Sequence, residues 1–413
     1  MGPRDHLLAI YGAAVDAVSG RIAVAEFLRH KPPTPSAIIA VGKAAPHMLA
    51  GAYDALAGCD FDALVITKYG YDEDLYPPDA AVTRIESAHP VPDESSLAAG
   101  AQLLTFVRQQ APGTHLLMLY SGGASSLVEV LPEGMDAEAL ARLNRWLLAS
   151  GLSIGPMNRI RKRVSCIKAG RLAAHVQGSM TNLLISDVPG DDPKVVGSGP
   201  LARHQQEDIQ VDDLDLPGWL QEMTDKAPPL APSAAFEQIS THVIAHPLLA
   251  AETAVEAASK RGYAVHLHEE LLEGDALELG KTLAQTVMNG PCGVHVWYGE
   301  STIQLPPNPG RGGRCQSMAL ATAQEIEGRS DVWFLAAGTD GTDGPGEDAG
   351  ALVDGETLAR GSLDGLDANS CLQAADAGRF LEASGDLINT GPTGTNVMDL
   401  MIGLKLDRSI REE

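Results

Sequence analysis

The chain has 413 residues, of which 44% are hydrophobic, 20% charged and only 4% aromatic, enough for two or three domains with aliphatic, alanine-packed cores. Its formal net charge of −24, from 54 acidic and 30 basic residues, argues against nucleic acid or an anionic membrane surface as the main partner, because both need clustered Lys and Arg. A small anionic ligand, which a few local cations can hold, stays open.

Five scattered cysteines without a CxxC speak against structural zinc or a disulfide framework and for a reducing compartment. The N-terminus lacks a signal-peptide core, and no apolar run reaches the length of a membrane span. A soluble cytoplasmic protein is therefore expected.

In chain order, the apolar spacing of Leu7, Tyr11, Val15, Val18 and Ile22 predicts one helix over 5–29, stopped by Lys31-Pro32-Pro33-Thr34-Pro35. A buried strand over 37–41 runs into Gly42-Lys43. Strands over 63–67 and 82–86 follow, then a proline-stiffened loop, Ser87 to Asp93. A helix over 94–109 leads to a strand over 115–120, which opens into Ser121-Gly122-Gly123-Ala124-Ser125-Ser126. Residues 136–176 read as helical, broken near 151–156, with a basic stretch containing Arg159, Arg161, Lys162, Arg163, Lys168 and Arg171. The apolar run Leu183-Leu184-Ile185 ends at Ser186-Asp187, before a Pro-Gly turn and Asp191-Asp192. Strands alternating with helices imply an α/β fold whose first sheet is doubly wound and mostly parallel. Acidic, proline-rich sequence from about 203 to 232 is the expected linker. A second alternating unit follows, with strands near 241–245, 264–268, 293–297, 302–305, 332–336, 387–389 and 397–404. The reading is two α/β domains, 1–232 and 233–413, with the active-site cleft between them.

Ligands of open α/β sheets bind outside the carboxyl ends of the strands. Asp187 stands at such an end, placed to take a proton or hold a metal. Ser121 to Ser125 can turn backbone N–H groups toward an anion, although the same run also makes an ordinary tight turn. Lys43 can serve as a point charge for a phosphate. Arg311, with Gly312 and Gly313, sets a fixed cation beside exposed amides before a helix, although a flexible turn with surface arginines stays open. Asp340 and Asp343 follow the strand 332–336 in an oxygen-rich loop that suits Mg²⁺ or plain turn chemistry. Thr390 to Asn396, with Thr393 and Gly394, is a further candidate anion nest or a hairpin turn. The histidines show no metal-binding spacing. No G-x-G-x-x-G, P-loop or G-x-S-x-G is present, which disfavours a dinucleotide enzyme, a P-loop kinase and an acyl-enzyme hydrolase.

The order of these segments resembles the glycerate 2-kinase family of the MOFRL type over about residues 5–404. The resemblance is carried by Val41-Gly-Lys-Ala-Ala45, Ser87-Ala-His-Pro-Val-Pro-Asp93, Ser121-Gly-Gly-Ala-Ser125, Ile185-Ser-Asp-Val-Pro-Gly-Asp-Asp192, Gly310-Arg-Gly-Gly-Arg314, Thr339-Asp-Gly-Thr-Asp-Gly-Pro345 and Thr390-Gly-Pro-Thr-Gly-Thr-Asn396. It implies a Rossmann-like kinase domain (1–232), a MOFRL-type domain (233–413), and transfer of phosphate from ATP, with Mg²⁺, to the 2-hydroxyl of D-glycerate. It also implies that Lys43, Asp187 and Arg311 are the active-site residues. Ser121 to Ser125, Arg161, Arg171, Gly312, Gly313, Thr393 and Gly394 are then candidates for substrate or phosphate binding. Asp340 and Asp343 are the metal candidates, with Asp187 either base or metal ligand. Rival readings are a nicotinamide-dependent hydroxypyruvate reductase and a non-catalytic sensor of sugar acids or phosphates. The expected partners are small molecules, not nucleic acid or membrane, and assembly of identical copies is left open.

Overall fold

A computed structural model describes residues 2–30, 34–71 and 75–407, so the Lys31 to Pro33 part of the expected helix stop lies outside the described residues. The chain divides into two compact units, residues 20–244, and residues 1–19 together with 245–413.

The first unit is built on a six-stranded sheet. Its strands are β1 (Ala37–Val41), β2 (Asp62–Lys68), β3 (Val82–Ser87), β4 (His115–Tyr120), β5 (Ser179–Ile185) and β6 (Ile239–Ala245), in the order β3-β2-β1-β4-β5-β6. The pairs β2/β3, β1/β2, β1/β4 and β4/β5 are all parallel. A parallel strand covered by helices on both faces must be apolar throughout, and β1 is buried at every position. Ala37, Ile39 and Val41 share a core cluster with Leu103 and Val107 of the helix Glu94–Gln109. Strand order reverses between β1 and β4, so this sheet has its topological switch point there.

Two expectations for this unit change. The strand read as opening the second domain is β6, the half-buried edge of the first sheet. The stretch expected to be a linker carries the helix Gly218–Lys226, whose Leu220 and Met223 pack with Val211, Leu143, Leu147, Ile160 and Val164 in a separate core. Its prolines and acids bound that helix without leaving it unpacked.

The second unit has a mixed sheet of β7 (Val265–Leu267), β8 (Leu272–Asp275), β9 (Gly293–Thr302), β10 (Val332–Gly338), β11 (Gly350–Asp354), β12 (Leu387–Ile388) and β13 (Asp399–Lys405). The order is β12-β11-β10-β13-β9-β7, with β8 also on β9. β9 takes in the run predicted near 293–297 and continues to Thr302, and among the described residues the separate strand expected near 302–305 is absent. β11 was not foreseen. The predicted helix over 5–29 is two helices, Pro3–Ala17 and Gly20–His30, interrupted at Val18 and Ser19. The first belongs to the second unit: it packs on the helix Pro247–Ser259, buries Leu7, Ile10 and Ala14, and Tyr11 Oη donates to the Gly338 carbonyl at 2.7 Å. Among the described residues no single helix is long and apolar enough to cross a membrane.

Candidate active site

In the first unit the site residues gather at the switch point. Gly42 leaves β1 with a φ of +132°, and a Cβ there would lie 2.1 Å from Ser121 Oγ, so only glycine lets the ends of β1 and β4 come this close. That approach is fixed by hydrogen bonds. Lys43 N–H donates to the Gly122 carbonyl at 3.0 Å, and Ala44 N–H to Ser121 Oγ at 3.1 Å. Ser121 is fully buried and shapes the turn; its hydroxyl oxygen is engaged by the backbone. A Cβ on Gly123 would be 3.1 Å from both Lys43 Cγ and the His89 ring, so these two side chains converge over Gly123.

Behind this turn lies a cavity of about 170 Å³ whose polar walls include His89, Ser125, Ser126, Glu129, Arg161 and Lys168. The short helix Ala124–Leu127 brings in the two serines, and Ser125 Oγ meets Ser198 Oγ at 2.9 Å. Arg161 comes from the last turn of the helix Ile154–Val164 and contacts Asn158 Oδ1 at 3.2 Å; burial lowers its pKa, with Glu129 opposing. Lys168 and Glu129 form a buried ion pair at 2.5 Å.

Asp187 follows β5 directly and is half-buried. It lies near Tyr120, whose phenol is pushed up by burial and then by Glu129 and Asp187. Arg171 is placed differently from the other candidates. It is 2% exposed, and its guanidinium donates to the carbonyls of Pro228 at 2.9 Å and Lys162 at 2.7 Å. Burial, with Arg163 adding, lowers its pKa to about 10. Arg171 thus ties loops together and is not a wall of the cavity.

In the second unit the loop before the helix Arg314–Glu325 meets the loop after β10. Asp343 accepts from Cys315 N–H at 3.1 Å and Gln316 N–H at 2.8 Å, capping that helix. A Cβ on Gly313 would be 2.2 Å from Asp343 Oδ1, so glycine is what lets the carboxylate reach those amides. Gly312, with a φ of +129°, turns the chain just before it. Asp340 Oδ1 accepts from Thr342 N–H and Oγ1, both at 3.0 Å. Thr393 Oγ1 donates to the Thr339 carbonyl at 2.5 Å, and the buried Gly394 follows, so this turn is bound against the end of β10. Arg311 is exposed and ion-paired with Glu382 at 2.9 Å and Asp348 at 3.2 Å.

Beside the helix start, Arg314 bridges Glu300 and Asp399. Burial works to lower the Arg314 pKa, but Asp399 and Glu300 outweigh it and raise it. Asp399 is pushed up to about 7, by burial first, against the pull of Arg314 and with help from Asp343, Glu300 and Asp340. Burial likewise raises Asp343 to about 6, against its amide hydrogen bonds.

Mg²⁺ bound with a nucleotide usually takes one or two carboxylates, several waters and phosphate oxygens. Each oxygen of Asp343 accepts one helix amide and keeps a second lone pair, and Asp340 Oδ1 is engaged by Thr342, so these two carboxylates stay the candidates for holding the ion. Among the described residues no three His, Cys, Asp or Glu side chains are grouped to hold a metal ion.

Sequence reasoning passed over His89, Glu129, Lys168, Arg314 and Asp399 as site residues. Lys168 stood in the basic stretch and His89 in the proline-stiffened loop, but their partners are far away in sequence. Glu129 is 39 residues from Lys168, and Asp399 is 85 from Arg314.

Residues 6–214 match the family described as "Domain of unknown function (DUF4147)", and residues 293–399 the MOFRL family. The D-glycerate 2-kinase of Thermotoga maritima is 34% identical over 381 residues, covering 89% of this chain and 90% of that protein. An Agrobacterium vitis protein provisionally named a hydroxypyruvate reductase is 34% identical over 422 residues, covering 96% and 93%. The crystal structure of the Thermotoga maritima glycerate kinase (EC 2.7.1.31) superposes with a TM-score of 0.85 at 32% identity, covering 97% of this chain and 99% of that one.

Proposed function

The chain belongs to the glycerate 2-kinase family of the MOFRL type and phosphorylates glycerate, and we propose that the strand ends of its first unit carry the transfer from ATP to the 2-hydroxyl. Phosphoryl transfer asks a protein for positioning and charge neutralisation more than for covalent help. The observation that carries this reading is the seating of Lys43 at the switch point, its backbone held by the Gly122 carbonyl and its side chain over Gly123. There an ammonium can neutralise oxygens of the transferring group. Asp187, past the end of β5 and two strands from β1, takes the proton of the attacking hydroxyl. A new bond forms from that oxygen to the γ-phosphorus, the bond to the bridging oxygen breaks, and ADP leaves.

The carboxylate of D-glycerate is assigned to the cavity beside Gly123 to Ser125, with Arg161 as its cationic wall. Arg311, Gly312 and Gly313 are the phosphate-handling candidates of the second unit, and Thr393 and Gly394 stand in a second turn there. Mg²⁺ enters this reading as the companion of the nucleotide, neutralising phosphate charge, with Asp340 and Asp343 as the carboxylates that would hold it. A cytoplasmic location fits a chain that spends ATP and keeps five free thiols.

The test offers the purified protein D-glycerate with Mg-ATP and, separately, hydroxypyruvate with NADH or NADPH. ADP release that depends on glycerate, with 2-phosphoglycerate as product, is expected. Nicotinamide oxidation without ATP consumption would contradict it. The reductase reading also lacks a dinucleotide fingerprint in the sequence.

A further inference from the structure

We propose that Lys168 is a second cation for the acceptor's carboxylate, that Glu129 is the residue positioning it, and that together with Arg161 they tune the cavity to a mono-anionic hydroxy acid. The inference rests on the reading that glycerate occupies this cavity. Lys168 and Glu129 are each 3% exposed, and both line the cavity. Burying an ion pair costs desolvation that the attraction between the charges does not reliably repay, so such a pair is weak evidence of a stability role.

The pair is fixed on every side. Glu129 Oε2 receives Lys168 Nζ at 2.5 Å, while Oε1 receives Ser165 Oγ at 2.6 Å and Val130 N–H at 2.9 Å. Ser165 Oγ in turn accepts from Lys168 N–H at 3.2 Å. Both ends of Lys168 are therefore anchored, and an ammonium with three donors spends one on Glu129. A ligand oxygen in the cavity meets a cation whose position is already set, so little entropy is lost in ordering it.

The charges set the selectivity proposed for the cavity. Arg161 and Lys168 are cationic and Glu129 is anionic, so these three groups leave one net positive charge for a ligand. That matches a single carboxylate, and a dicarboxylate would bring an excess negative charge into a partly desolvated site. Without Glu129 the wall would carry two positive charges and lose this discrimination.

Four variants separate the possibilities, each checked for folding by its thermal melt: Arg161→Ala, Lys168→Met, Glu129→Gln and the double variant Glu129→Gln/Lys168→Met. A charge-assisted hydrogen bond predicts that Lys168→Met raises KM for D-glycerate about tenfold or more, with kcat changing much less. In the double variant KM stays raised, because restoring the net charge does not restore the donor. Glu129→Gln raises kcat/KM for hydroxymalonate, a dianionic 2-hydroxy acid, relative to D-glycerate. If the double variant recovers the wild-type KM, Lys168 does no more than balance Glu129 and the proposal fails. It also fails if Arg161→Ala raises KM and Lys168→Met does not, an outcome that leaves glycerate in the cavity. Were neither change to move KM for glycerate, or only KM for ATP to respond, the cavity would not be the acceptor site and the underlying reading would fall.

Discussion

At the switch point a single glycine decides where the lysine goes. Gly42 lets the end of β1 touch Ser121, and the bonds from Lys43 and Ala44 to that turn aim the Lys43 side chain over Gly123. Removing the ammonium by Lys43→Ala should lower kcat/KM at least tenfold, on the order of 1.4 kcal/mol of transition-state stabilisation, in a steady-state assay with glycerate and ATP. A variant within twofold of wild type would place the charge neutralisation elsewhere. Lys43, Ser121 to Ser125 and Asp187 were legible in the sequence because each directly follows an apolar run that reads as a strand. Lys168 and Glu129 were not, because the contact that gives them meaning spans 39 residues and leaves no periodic mark.

Asp399 sets a pH dependence at the same scale. Folded, it holds its proton up to about pH 7, whereas an unfolded aspartate releases it near 3.9. Between those values the folded chain binds more protons than the unfolded one, so this group's contribution to stability falls as pH rises. Asp343, raised to about 6, acts in the same direction. Burial lowers the pKa values of His115, His175, His204, His268 and His295, which act in the opposite direction. The test is therefore a difference: the melting temperature of the wild type relative to Asp399→Asn should fall from pH 5 to pH 8, with Asp343 keeping its own share in both. An unchanged slope would remove Asp399 from the account.

Among the elements, the helix Arg314–Glu325 depends on its cap. Asp343→Ala leaves two buried amides without an acceptor and should cost about 1–2 kcal/mol of stability in denaturant unfolding. If the loss appeared instead as a raised Mg²⁺ requirement with stability intact, Asp343 would be a metal ligand and not a cap. The helix Pro3–Ala17 makes a second test. Leu7 is fully buried in the unit that holds 245–413, and Leu7→Ala should cost about 2–5 kcal/mol. Hydrogen exchange should then speed up in that unit and not in 20–244; the reverse would assign the helix to the other unit. Strand and helix types were readable from apolar runs and turn residues. Membership was not: β6 has the half-buried pattern of any edge strand, and the docking of the first helix is a long-range contact.

For the whole molecule, a net charge of −24 makes a cationic cavity wall a local exception, and the composition left a small anion held by a few residues open. The two-sheet organisation was foreseen, but the chain contributes its first 19 residues to the later unit, which no linear boundary at 232 captures. The central claim is that the strand ends of the first unit, with Asp187 as base, run a glycerate kinase. Its most direct measurement is glycerate-dependent ADP release by wild type and Asp187→Asn side by side, with matching circular dichroism spectra. The account predicts ready turnover by the wild type and at least a hundredfold loss in the variant, in the range assigned to general acid–base catalysis. A variant that keeps a substantial part of the rate would contradict it.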